Sequence, residues 1–116
     1  MKTPITILIS LIFSCTTALA EDPLVAAPNM YKKLFENERV RVMEVIFIPG
    51  EKIKQHSHPD HFVTVLEPGK LKIYKPDGSS NEMELTLEQV IWIPAETHWA
   101  ENTGNTRIKL LVSELK

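Results

Sequence analysis

Cysteine is almost missing from this 116-residue sequence: Cys15 is the only one, and it stands in an N-terminal stretch that reads as a removable leader. A chain cut after residue 20 has no disulfide, no thiolate nucleophile and no thiol metal ligand. Long apolar runs are missing too. The most apolar stretch, Ile5 to Phe13, covers only 9 residues, against the ~20 needed to span a bilayer. Glycine is scarce, and the sequence has no Gly-x-Ser-x-Gly elbow, no phosphate-binding loop and no dinucleotide fingerprint. Positive charge is not in excess either. Without Lys2, 12 basic residues face 15 acidic ones, a net charge of −3, so nucleic-acid binding is not expected. Lys32-Lys33 and the scattered Lys52, Lys54, Lys70, Lys72 and Lys75 read as solvated strand faces rather than a patch.

What is present begins with that leader. Met-Lys, the apolar run, and the small-residue ending Ala18-Leu19-Ala20 before Glu21-Asp22 have the layout of a secretory signal peptide over residues 1–20. The expected location is therefore periplasmic or secreted, with no stable membrane span. Ile12-Phe13-Ser14-Cys15 offers a second processing, as a lipoprotein through Cys15. Phe13 departs from the small residue wanted there, and Ala-x-Ala is the better cleavage signal. The remaining 96 residues suit one small domain.

Residues 21–33 read as an extended lead-in, or a strand packed on another subunit, because Pro23 and Pro28 forbid a regular ladder. A helical turn is expected near 29–37. From residue 34 onward, β-branched runs alternate with turn signals. Val40 to Ile48 stops at Pro49-Gly50, Phe62 to Leu66 at Pro68-Gly69, and Lys70 to Lys75 at Pro76-Asp77-Gly78; Glu82 to Leu87, Val90 to Ile93, His98 to Glu101 and Arg107 to Leu115 follow. Short strands at this spacing predict an all-β barrel or sandwich over residues 34–116.

Three of the four histidines, His56, His58 and His61, fall within six residues, and His98 follows Pro94. Strand positions i and i+2 share a face, so His56 and His58 project together while Ser57 points away. A lone histidine is more often a packed residue than a ligand. A pair on one face, with a third on a later strand able to lie beside the first, points instead to a metal site.

The surrounding residues carry a specific resemblance. Gly50-x5-His56-x-His58 followed by Val63-Thr64-Val65-Leu66-Glu67-Pro68-Gly69 resembles the first motif of the cupin superfamily. Ile91-Trp92-Ile93-Pro94-Ala95-Glu96-Thr97-His98-Trp99-Ala100-Glu101-Asn102 resembles the second. Within the superfamily the chain is most similar to small single-domain bacterial cupins of the quercetin-dioxygenase-like and β-alanine-degradation group. The resemblance implies a small closed β-barrel or jelly roll (the double-stranded β-helix), a homodimer, and one divalent metal ion: iron, manganese, zinc, nickel or copper. It also implies His56, His58 and His98 as metal ligands.

Two departures from the family pattern stand out. No glutamate follows the histidine pair where the family places one. Counting back by two from Val65 and Val63 reaches His61, the candidate fourth ligand; Asp60 or a water molecule are the alternatives. The spacing from Pro94 to His98 is one residue short, with Glu96 where glycine often stands.

Glu96 and Glu101 are candidate general bases or positioning residues near the mouth, against the default of exposed glutamates. Trp99 is a candidate aromatic wall of the pocket, although packing is the commoner role for it and for Trp92. The function expected is a mononuclear metalloenzyme, dioxygenase-like, acting on a small organic acid or polyol. The alternative is a non-catalytic module that holds metal or a small ligand.

Overall fold

The computed structural model describes residues 3–4 and 21–116; the leader proper, with Cys15, lies outside the described residues. A short helix α1 (Pro23–Ala26) is followed by nine strands: β1 (Tyr31–Glu36), β2 (Val40–Phe47), β3 (Lys52–His58), β4 (His61–Glu67), β5 (Gly69–Tyr74), β6 (Ser80–Leu85), β7 (Val90–Ile93), β8 (Glu96–Asn102) and β9 (Ile108–Leu115). They form two antiparallel sheets, ordered β1-β2-β9-β4-β7 and β3-β8-β5-β6. The all-β jelly roll is therefore as expected, built as two facing sheets with no ladder joining their edges among the described residues. No helix among them is long and apolar enough to cross a membrane.

Alternation by two builds the interior. Met43, Val45 and Phe47 of β2 and Ile108, Leu110 and Val112 of β9 are buried, while the residues between them face outward. Val63 and Val65 of β4, with Leu71, Leu85 and Ala100 of the second sheet and its neighbours, close the same core. Turn chemistry separates the strands as the sequence suggests: Gly50 and Gly78 take positive φ, +84° and +89°, which side chains rarely tolerate.

Two expectations fail at the N-terminal side. Residues 31–36 form a strand, not part of a helical turn. Tyr31, Leu34 and Phe35 have helical spacing, but Asn37 closes a tight hairpin by accepting from the amides of Arg39 and Val40 at 2.8 and 2.9 Å. Pairing with β2, relaxed by a bulge at Lys33/Phe35, then overrides local preference. The lead-in is not simply extended either. Asp22 caps α1 by accepting from the Leu24 amide at 2.9 Å, with Pro23 inside the start. The helix packs on β3 and β1 of its own chain.

Asn102 stitches the closing turns together. It is only 1% exposed, and its amide donates to the carbonyls of Phe47 and Thr106 at 3.1 and 2.8 Å while its Oδ1 accepts from Gly104 at 3.0 Å. Replacing it strands buried backbone groups as well as removing bonds. Asn102→Ala is expected to destabilise the fold by about 3 kcal/mol. The check is urea unfolding, where a midpoint equal to that of the parent protein would contradict this role.

Candidate metal centre

The site is set by the register of two strands. β3 and β8 pair antiparallel with His56 directly opposite His98 and His58 opposite Glu96. β3 also carries a bulge between Ile53 and His56. Both of those residues are buried although they stand three apart, so the extra residue resets the strand's phase and turns His56 and His58 inward. Ser57 faces out and bonds the Thr97 hydroxyl at 2.6 Å.

Inside, one ring nitrogen from each of His56, His58 and His98 lies within 4.8 Å of the others. Their ring centroids are 4.7 to 5.1 Å apart. Each ring gives its Nδ1 to an acceptor: His56 to the Lys54 carbonyl (2.9 Å), His58 to Glu114 Oε2 (2.7 Å) and His98 to Glu96 Oε1 (3.0 Å). Carbonyls and carboxylates cannot donate, so Nδ1 carries the proton and the Nε2 lone pair of a neutral ring stays free. Nε2 of His56 is fully buried without any hydrogen-bond partner. Beside two other neutral imidazoles, that orphaned lone pair is what a metal ion would satisfy, and three neutral nitrogens suit zinc, copper, iron or nickel.

Burial keeps these rings neutral. It pushes His56 and His98 down to about 4, with the neighbouring imidazoles adding to the shift and the Lys54 carbonyl and Glu96 opposing it. His58 is lowered too, by burial first and then by His56 and His61. Glu114 is raised by burial, and the Arg41 guanidinium works against that shift.

The other candidates divide. His61 is buried in the cavity wall and, like His56, gives its Nδ1 to a backbone carbonyl (Pro59, 2.8 Å), but its ring stacks on His58 (4.4 Å between centroids, 28°). It stands beside the three convergent nitrogens rather than among them. Asp60 is engaged elsewhere, accepting from the Ala95 amide at 2.8 Å. Glu96 orients His98. Glu101 lies on the opposite face of β8 from His98, where it accepts from the Tyr74 hydroxyl at 2.9 Å, so it is not a base for this cavity. Trp99 shares that outer face and stacks on Tyr74 at 5.4 Å and 3°, so it is no wall of the pocket. Trp92 is 55% exposed on the edge strand β7.

The residue that sequence reading missed is Glu114. It is 3% exposed and opposite both Arg41 and His61 in register. A signal was available: Glu114 is in phase with inward-facing Ile108, Leu110 and Val112, and an acidic residue there needs a partner.

The cavity beside the histidines has a volume of ≈ 40 Å³. Apart from the histidines and Tyr31 its lining is entirely apolar, including Phe47, Leu71, Ile91 and Leu110. A wider outer pocket of ≈ 270 Å³ shares Ile73, Met83, Ile91 and Ile93 with it and opens between β6 and β7 past Lys75, Asn81 and Glu96.

No family model and no curated protein matches the sequence. Solved structures do. A cupin domain from Bordetella pertussis Tohama I is 29% identical, with a TM-score of 0.69 over 75% of this chain and 92% of its own. A cupin superfamily protein from Desulfitobacterium hafniense DCB-2 is 24% identical, with a TM-score of 0.58 over 74% and 75%. A polyketide cyclase from Streptomyces resistomycificus is 24% identical at a TM-score of 0.57, and the match spans 73% of this chain but 63% of the cyclase. The first of these likenesses supports the cupin superfamily, and all three support its double-stranded β-helix fold.

Acid should act on the metal-free protein through the buried rings. An unfolded imidazole takes a proton near pH 6.5, whereas His56 and His98 in the fold resist until about 4. The stability tied to the neutral rings is thus complete above about pH 6.5 and lost as pH falls toward 4, by about 2 kcal/mol per ring at pH 5. Guanidinium midpoints measured between about pH 7 and about pH 5 should fall accordingly. A flat profile would contradict a buried, neutral triad.

Proposed function

We propose that this is an exported, metal-binding cupin, a mononuclear metalloenzyme of dioxygenase-like type acting on a small organic acid. The observation that carries the reading is the convergence of His56, His58 and His98 on one point at the end of an apolar cavity. A divalent ion held by these three nitrogens would supply a Lewis-acidic centre and, with iron, manganese or copper, a redox centre.

The chain's own residues then shape what can react. Three neutral ligands leave the ion's charge uncompensated, which favours an anionic group at the open positions. The cavity wall offers no ammonium, guanidinium or amide to compete for that group. An acid with an apolar body fits this lining better than a polyol, whose hydroxyls would lose their hydrogen bonds on entering it. The lining also keeps bulk water from the reacting centre. The quercetin-dioxygenase-like subgroup is part of the proposal, and rests on the sequence motifs.

One observation favours the alternative of a non-catalytic holder of metal or small ligand. A cavity of ≈ 40 Å³ has room for only about three water molecules. The proposed homodimer is supported by exposed Val90, Trp92 and Leu66 on the first sheet's outer face.

The test is metal analysis of protein purified from the exported fraction, beside the His56→Ala/His58→Ala variant. About one equivalent of metal per chain, lost in the variant, is expected, and no metal in either would overturn the site. The mass should correspond to a chain starting at Glu21; a mass that retains residues 1–20 would overturn export. With Co(II) loaded, azide should shift the visible spectrum if coordination positions are open, as an enzyme requires. An unmoved spectrum would favour the holder.

A further inference from the structure

The segment that precedes β1 makes two separate ties to the His-x-His strand. β3 is an edge strand, and at its free edge the Ser57 amide, between the two histidines, donates to the Glu21 carbonyl at 2.9 Å. The second tie runs through side chains. His58 Nδ1 donates to Glu114 Oε2 at 2.7 Å. Arg41 takes the other oxygen, with Nε at 2.9 Å and Nη2 at 2.6 Å from Oε1. The same Nη2 donates to Asp22 Oδ2 at 2.8 Å, and Asp22 uses its other oxygen to cap α1. The line Asp22–Arg41–Glu114–His58 is continuous, and it is most buried at its inner end.

We infer that Asp22 and Arg41 are positioning residues of the metal centre, acting on His58 through Glu114, so that residues 21–27 belong to the site rather than merely leading into the domain. This rests on the metal-binding reading. Glu114 can stay a buried carboxylate only while a cation compensates it. Arg41 does so at Oε1, which leaves Oε2 free to hold the Nδ1 proton of His58 and to aim its Nε2 lone pair at the centre. Asp22 fixes the guanidinium, which would otherwise be free to swing along the surface. The coupling is reciprocal: whatever fastens His58 also fastens α1. A buried ion pair serving the fold alone would need neither the bond to a ring nitrogen nor an anchor from a helix cap.

The experiment is Zn(II) titration of the full chain against a competing chelator, for the parent protein, Asp22→Asn, Arg41→Lys and Arg41→Met. Hydrogen exchange at the amides of Val25, Ala26 and Ala27 is followed with and without zinc. Zn(II) affinity should fall about tenfold in Asp22→Asn and up to about a hundredfold in Arg41→Met, with partial rescue in Arg41→Lys. Zinc should slow exchange in α1 of the parent and not of Asp22→Asn. Parent-like affinity in Asp22→Asn, together with helix protection indifferent to zinc, would overturn the inference while leaving the metal site standing. Failure of the parent itself to bind zinc would overturn the metal reading and this inference with it. Should Arg41→Met not fold, Asp22→Asn decides alone, since its carboxylate is partly exposed.

Discussion

Three imidazoles packed against one another in an apolar interior are tolerable only under one condition: each must lose its charge and still satisfy its Nδ1 proton. The rest of the site follows from that. Lys54 meets the condition with its backbone, which the bulge in β3 brings into reach two residues before His56. Glu96 meets it from two residues before His98 on the same strand face. His58 has no acceptor on its own strand and takes one from across the sandwich, Glu114 on β9. That single long-range bond introduces a buried carboxylate, which in turn requires Arg41 on β2. The donor geometry at one end of the sandwich thereby constrains three strands and the cap of α1.

The same condition explains why the fold is more specific than its hydrophobic pattern. Alternation by two would be kept by many strand registers. The pairing of His56 with His98 and of Arg41 with Glu114 holds in only one, because a slip by a single residue moves each partner to the opposite face. The site's polar bonds therefore reinforce the register that core packing alone leaves less determined. Asn102 does comparable work at the other end of the sandwich, where it holds the ends of β2 and β8 to the loop before β9.

Much of this was legible in the chain. The runs from Val40, Lys70, Val90 and Arg107 fall as strands because β-branched stretches end at Pro-Gly, Asp-Gly and Pro signals whose meaning is local. His56, His58 and His98 were legible from spacing and motif together. What failed was whatever depends on which way a strand faces or on a partner far along the chain. Trp99 and Glu101 flank inward-facing Ala100 on β8 and so look outward. β1 carries a helical spacing that only its pairing with β2 overrules. His61 was placed correctly toward the interior by counting in twos, but no count reveals that it would stack on His58 instead of converging with it. Nothing in the sequence singles out Asp22, since its partner Arg41 lies across a hairpin.

The balance between catalysis and holding turns on the wall that the two pockets share. The inner cavity alone is too small for an organic substrate of any size, yet its apolar wall is shared with the wider pocket that opens between β6 and β7. That opening lies between the edge strands β6 and β7, where no ladder joins the two sheets. Met83 and Ile73, Ile91 and Ile93 form the wall common to both, and of these methionine is the most adaptable in shape. A reacting molecule would reach the histidines by displacing flexible side chains rather than by breaking a ladder. The proposed turnover would require rotamer changes at this wall, while His56, His58 and His98 stay pinned by the bonds to Lys54, Glu114 and Glu96.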